Sequence, residues 1–443
     1  MKNRLRTGYA KLMTLDNVAL LKGGGIIFFI KVIAAILAFV STIIITRYSH
    51  SQSDVGQYFF ILSLLAVTTT VSRAGFDNVL TRFIALANKD QNYPLLTAVY
   101  QFIFTKVMAF TLIAASSIAS VSYLLFSLSY IESGQLNLLL IAAFLMIFLN
   151  MNIVFVQCYQ GIKKSFKYAL FNALSRVLLF VFLIFSLLFY QQMSLLSLLL
   201  FYGSANIIAA LISYVFWKKE TCVIKMSNTA IVPKKAILKS ANTLWGVSIF
   251  AIIMSNGAAV LLGFISQPEE VALFAAANRI ALLVSFILIA VNGILSPKFA
   301  ELSNDVNSES GRIKLQGVYR SSTGLMLIIT LPLFILIFYY SKFILSLFGQ
   351  EYISGVSVLR LIIGAFFVKV LVGSVGQLLV MTGNERYQRR CLTISVIILL
   401  VLLFSVVPSY GALGASFAVF CAVVVNNLLG LFYVRRKLNI SLL

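Results

Sequence analysis

Apolar runs of about 20 residues or more recur along this 443-residue chain, each long enough to cross a bilayer core of about 30 Å as an α-helix. They fall at roughly 24–46, 56–79, 97–126, 136–157, 169–190, 194–217, 241–265, 271–296, 317–340, 356–381, 391–408 and 412–434. Only 11% of the residues are charged and 60% are hydrophobic, with a mean hydropathy of +0.99, whereas soluble domains run near a quarter charged. The chain therefore reads as an all-α integral membrane protein with about twelve transmembrane helices. No connection between the runs is long enough to fold as a soluble domain. The first run is too long for a signal-peptide core and has no small-residue cleavage pattern after it, so it counts as a span.

The net charge of +22 reports topology, and nucleic acid is not an expected partner. Alternate connections, starting with the N-terminal tail, carry 27 of the 35 basic residues. The opposite side holds Arg47, Lys342 and Arg360. This asymmetry is the positive-inside pattern and predicts that both termini are cytoplasmic. The longest strongly basic connection, roughly 218–240, contains Pro233 and lies at the midpoint. It reads as a cytoplasmic linker or a surface-lying amphipathic helix between an N-terminal six-helix lobe, 1–217, and a C-terminal six-helix lobe, 241–443. A faint repeat supports the division. Val55-Gly56-Gln57-Tyr58 and Val271-Ala272-Leu273-Phe274 open the second and eighth spans, and Arg82-Phe83 matches Lys298-Phe299 at the same offset. Two such halves share one orientation and make parallel repeats, a plan that places a binding site near the midplane.

The remaining five basic residues, Lys31, Lys106, Arg176, Arg279 and Lys369, lie inside the spans. A charge at membrane depth costs about 2.5–3.5 kcal/mol on insertion scales and marks function by default. None of the 13 acidic residues lies at that depth. Asp77, near a cytoplasmic end, and Glu351, near an outer end, come closest and are the candidate coupling carboxylates. A bundle with cations and no carboxylates at depth suits an anionic cargo. Lys369 lies farthest from the ends of its span, and the helical period sets Gly373, Gly376 and Gln377 beside it. Lys31 and Arg176 are near enough to the cytoplasmic end to reach the interface. Asn150, Asn152, Gln157, Asn206, Asn242, Asn256, Gln377, Asn426 and Asn427 are uncharged polar residues in or near the spans, expected mainly to hydrogen-bond between helices. His50, the only histidine, sits in a short outer loop with nothing to orient it as a base. The four cysteines form no CxxC and no outer-loop pair, so neither a metal site nor a disulfide is expected.

Several segments, in order and over most of the length, resemble a known family. They are Lys22-Gly23-Gly24-Gly25, Val55-Gly56-Gln57-Tyr58, Ala74-Gly75-Phe76, Thr81-Arg82-Phe83-Ile84-Ala85, Phe274-Ala275-Ala276-Ala277-Asn278-Arg279, Pro297-Lys298-Phe299-Ala300 and Phe348-Gly349-Gln350-Glu351-Tyr352. The chain is similar to the polysaccharide flippases that move lipid-linked O-antigen units, within the multidrug/oligosaccharidyl-lipid/polysaccharide exporter superfamily. The resemblance implies a V-shaped bundle of two six-helix lobes, like that of the MATE exporters, alternating between inward-open and outward-open forms. It implies a cargo of oligosaccharide on undecaprenyl diphosphate, moved from the cytoplasmic to the periplasmic leaflet of a bacterial inner membrane. A polysaccharide polymerase and a chain-length regulator are the protein partners it implies, besides the membrane lipids. It implies no catalytic residue, cofactor or metal. A multidrug exporter of the same superfamily is the main alternative, although a cationic drug calls for a carboxylate in the cavity. A membrane polysaccharide polymerase fits less well, because the outer side has only short loops and three basic residues.

Overall fold

The computed structural model describes residues 15–189, 192–223, 232–303 and 308–440, and these are almost entirely helical. The long helices are α1 (Leu15–Tyr48), α2 (Gln52–Ser72), α4 (Tyr93–Ser127), α5 (Ser133–Gly161), α6 (Ser165–Phe189), α7 (Leu195–Val223), α8 (Lys234–Ile265), α9 (Pro268–Ser303), α10 (Glu309–Tyr339), α12 (Val356–Val372) and α14 (Glu385–Leu438). Shorter pieces are α3 (Phe76–Lys89), α11 (Ser341–Ser346), a 3-10 turn (Gln350–Gly355) and α13 (Val375–Met381). Ten helices among the described residues are long and apolar enough to cross a membrane. One of them, α14, is two segments joined at Gly411, and the 36-residue α9 occupies the predicted 271–296 run. Ten of the twelve expected runs each coincide with one helix or one segment of α14, and the other two, 56–79 and 356–381, are each divided between two helices. The N-terminal lysines and arginines before Leu15, and Lys225 in the middle connection, lie outside the described residues. The described flanks of that connection, 218–223 and 234–240, are the end of α7 and the start of α8.

The helices group into two compact units. The first gathers described residues of Met1–Ser41, Thr68–Gln191 and Ser197–Gly246. Its core joins Phe76, Leu80 and Ile84 of α3 to Ile103 and Val107 of α4, Phe155 and Tyr159 of α5, and Trp217 of α7. The buried positions of α3, Phe76, Val79, Leu80, Ile84 and Ala87, follow the three-and-four spacing of an amphipathic helix. The predicted 56–79 run is therefore not one helix. It ends at Ser72, turns through Ala74 and Gly75 with φ of 48° and 76°, and restarts as α3. A Cβ on Gly75 would lie 2.7 Å from the Trp245 backbone nitrogen and closer still to the Ala241 carbonyl oxygen, so glycine is needed for space as well as for its positive φ. Trp245 Nε1 donates to the Val71 carbonyl at 3.0 Å, which supplies a donor to the end of α2.

The second unit gathers Thr42–Val67, Gln192–Leu196 and Val247–Leu443, again for described residues. Phe299, Leu315, Tyr319, Leu378, Leu379 and Val434 belong to its core. The outer ends of α1 and α2 belong to this unit. Arg47 Nε donates to the Leu347 carbonyl at 2.7 Å and Nη2 to the Ser346 carbonyl at 3.3 Å, capping α11. Gly56 sits so close to Pro268 that any Cβ would collide with its carbonyl. Val55, Tyr58, Val271 and Phe274 are all buried. The two openings that echo each other in sequence therefore come together in space, at the point where only glycine fits.

The predicted 356–381 run is also broken. Helix α12 ends at Val372, and Gly373 turns with φ 76° and ψ −157°. Tyr319 Oη donates to the Val372 carbonyl at 2.6 Å, and the Thr323 side chain fills the space a Cβ on Gly373 would take. The third break, at Gly411 (φ 49°, ψ −129°), follows Pro408. There Glu270 Oε2 accepts from Ala412 N at 2.6 Å and caps the second segment of α14, where a carboxylate also complements the helix dipole.

Gly56→Ala and Gly75→Ala should each destabilise the protein by about 1–3 kcal/mol through overpacking, seen as a lower thermal unfolding midpoint in detergent. Gly317→Ala on α10, where a Cβ meets nothing within 4 Å, should leave the midpoint unchanged or slightly raised.

Candidate functional site

The five intramembrane cations divide between the units. Lys31, Lys106 and Arg176 lie in the first; Arg279 and Lys369 lie in the second. Lys31, Lys106 and Arg176 have exposed side chains, while Arg279 and Lys369 are half-buried. The Lys31 ammonium sits 5.8 Å from the ring centre of Tyr168. This attaches α1 to α6, the helix that carries Arg176 two turns further on. On α4 the buried stripe includes Ile103, Val107 and Thr111, and Lys106 points away from it. The Arg279 guanidinium lies 5.9 Å from the Phe59 ring centre, and the Lys369 ammonium 5.8 Å from that of Phe366. Such cation–π contacts stabilise a cation partly removed from water by about 0.5–2 kcal/mol.

The local setting of Lys369 differs from the sequence expectation. It lies in the last turn of α12, one turn before the break, and not in the middle of an unbroken span. The face that would have joined it to Gly373 and Gly376 ends at Val372. A cation in the last turn faces the partial negative charge of unpaired helix carbonyls. That end effect supplies the electrostatic compensation that a mid-helix lysine would lack.

The described ion pairs are Arg73–Asp77 at 2.8 Å, Lys164–Glu220 at 2.5 Å and Lys167–Glu220. They involve neither Lys31, Lys106, Arg176 nor Lys369. Arg73, counted with the basic cytoplasmic segments, is buried, at 7% exposure. Its guanidinium donates to Asp77 at 2.8 Å, to Asn150 Oδ1 at 2.9 Å and to Thr70 Oγ1 at 3.1 Å. Asn150 in turn donates to Ser72 Oγ and Thr111 Oγ1 at 2.9 and 2.8 Å. A buried charge is tolerable when its donors are met in this way, and the network holds together α2, α3, α4 and α5 around the first helix break. The sequence signal was present but divided: Asp77 lies four residues after Arg73, and Asn150 stands alone in an apolar run. Glu351 is exposed in the 3-10 turn, next to the buried Tyr352.

The uncharged polar residues serve two purposes. Asn150 bridges helices as described. Asn152 Oδ1 accepts from Ser213 at 2.8 Å, and Gln157 Oε1 from Thr81 at 2.8 Å. By contrast, Asn206 and Asn427 donate to carbonyls four residues back on their own helices. Cys158 and Cys391 are buried free thiols, and Cys421 is a half-buried one. No group of three or more metal-ligating side chains occurs among the described residues.

A family model described as polysaccharide biosynthesis protein matches residues 20–303, nearly two thirds of the chain. The chain belongs to that family. A curated relative in Haloferax volcanii, the probable low-salt glycan biosynthesis flippase Agl15, is 22% identical over 216 residues, 47% of this chain. The chain spans 45% of that relative's length, less than half. Among solved structures, the lipid II flippase MurJ in an inward closed conformation superposes with a TM-score of 0.72 at 14% identity, covering 92% of this chain and 87% of that one. An inward-facing multidrug resistance MATE transporter of the MOP superfamily gives 0.69 at 14% identity, covering 92% and 94%. The family's fold in this chain is thus the one shared by MurJ and the MATE transporters.

Arg73→Ala should destabilise the protein by about 3 kcal/mol, the lower end for breaking a buried pair, because Asp77 is 23% exposed. Asp77→Asn should cost less, and Arg82→Ala, exposed on α3, should cost nothing measurable in the same thermal unfolding assay.

Proposed function

We propose that the protein is a flippase that carries undecaprenyl-diphosphate-linked oligosaccharide, an O-antigen unit or a similar repeat, from the cytoplasmic to the periplasmic leaflet of a bacterial inner membrane. The observation that carries this reading is the family match over most of the chain combined with the sign of the charge at membrane depth. Lys31, Lys106, Arg176, Arg279 and Lys369 serve as the cationic lining that compensates the diphosphate for lost water. The two six-helix halves, 1–217 and 241–443, joined by 218–240, are the bodies that rock between access states, with both termini cytoplasmic. The Arg47 cap on α11 and the Gly56–Pro268 contact close the outer ends of the helices they join, and this seam parts for release.

Asp77 is engaged by Arg73 and Glu351 is exposed in the 3-10 turn before α12, so neither suits a carboxylate proton relay through the bundle. Membrane potential supplies a driver instead. Moving an anion outward through an inside-negative potential is favourable by about 2.3 kcal/mol per charge per 100 mV. The likeness to multidrug transporters keeps drug export as a second reading, and the lack of a deep carboxylate counts against a cationic drug. On the flippase reading the protein is a carrier, not an enzyme; a polysaccharide polymerase and a chain-length regulator are its expected neighbours.

Deleting the gene in its native host and analysing undecaprenyl-linked and lipid A-linked glycans by mass spectrometry tests this. Repeat units should accumulate on undecaprenyl diphosphate with none on lipid A, and Lys369→Ala should fail to restore transfer although it reaches the membrane at normal level. Single units on lipid A would instead indicate lost polymerisation, and an unchanged glycan profile would favour drug export.

A further inference from the structure

The two ends of α14 meet in an aromatic and cationic cluster that includes none of the five intramembrane cations. The Tyr387 and Tyr433 rings lie 4.8 Å apart, centre to centre. The Lys437 ammonium stands 5.2 Å from the Tyr387 ring centre and the Arg390 guanidinium 5.7 Å from it. The Arg436 guanidinium lies 5.9 Å from the ring of Phe432, which itself packs edge-on against Tyr433 at 5.5 Å. None of these three cations is ion-paired among the described residues, and all three are exposed. A cation stacked on a ring keeps its remaining N–H donors directed outward. The cluster is therefore a preformed set of donors without an acceptor.

The neighbouring surface indicates what kind of molecule supplies that acceptor. Leu428, Phe432 and Arg436 recur every four residues and share one face of the helix. Leu428 and Phe432 are 51% and 52% exposed, and Ile394, Ile397 and Val401 on the first segment of α14 are exposed as well. An apolar stripe that ends in cations and interfacial tyrosines matches a lipid, with chains in the hydrocarbon and a phosphate at headgroup level. We propose that Arg390, Arg436 and Lys437, ordered by Tyr387 and Tyr433, form a binding site for the phosphate of an anionic phospholipid. The transport reading enters only in assigning the site to the cytoplasmic leaflet; binding itself does not depend on it.

Native mass spectrometry of the full-length protein in neutral detergent, titrated with phosphatidylglycerol, phosphatidylcholine or inorganic phosphate, tests the site. Phosphatidylglycerol should be retained in preference to phosphatidylcholine. The Arg390→Gln, Arg436→Gln, Lys437→Gln triple variant should weaken it about a hundredfold at low salt, roughly fivefold per cation. Lys437→Gln alone should give about fivefold, which covers the case in which the triple variant does not fold. Neutralising Lys163, Lys218 and Lys219 together should leave phosphatidylglycerol binding unchanged. Equal losses from the two sets would overturn the proposal by reducing it to general charge. Displacement of the lipid by equimolar inorganic phosphate would overturn it in favour of a free-anion site. Undecaprenyl diphosphate binding tenfold more tightly than phosphatidylglycerol would assign the cluster to the cargo.

Discussion

Where a membrane helix breaks, the backbone groups it exposes must be satisfied by the protein, because the hydrocarbon offers no water. Among the described residues three helix interruptions, two inside expected spans and one between two of them, are each met by a side chain from elsewhere. Trp245 donates to Val71 beside Gly75, Tyr319 to Val372 beside Gly373, and Glu270 accepts from Ala412 beside Gly411. At all three the glycine has positive φ, and a Cβ there would collide with the closing element. Break and closure therefore depend on each other. The arrangement also sets local electrostatics: it leaves Lys369 at a helix end and packs Arg73 into the turn after α2.

The helices were legible because their apolar runs are long and uninterrupted, and the positive-inside asymmetry depends only on counting. The breaks at Gly75 and Gly373 were not legible, whereas the one at Gly411 falls in the gap between the 391–408 and 412–434 runs. Glycine at 75 and 373 is followed by residues that could continue a helix, and the partners that decide otherwise, Trp245 and Thr323, lie far away in sequence. For the same reason Arg73 entered only the count of basic residues on the cytoplasmic side. Its burial follows from Asn150 and Thr111, on helices 39 residues apart in sequence. The echo between Val55–Tyr58 and Val271–Phe274 was visible as a faint repeat, but the backbone contact at Gly56 that explains it was not.

Charge links the fold to its proposed use. Structural cations in the first unit are matched: Arg73 by Asp77 and two neutral acceptors, and Lys164 and Lys167 by Glu220. Of the cations inside the spans, Lys31, Arg279 and Lys369 each stand over an aromatic ring, and Lys369 also lies at a helix end. An aromatic ring stabilises a positive charge without carrying a negative charge of its own. The proposed anionic lipid-linked cargo suits such a charge, whereas a cationic drug does not.

Reconstitution into proteoliposomes tests the central claim most directly, with outward movement of undecaprenyl-diphosphate-linked oligosaccharide read by lectin accessibility under an imposed potential. The account predicts protein-dependent movement that an inside-negative potential accelerates and Lys369→Ala slows at least tenfold. Movement of a cationic dye with none of the lipid-linked oligosaccharide, in the same vesicles, would contradict it.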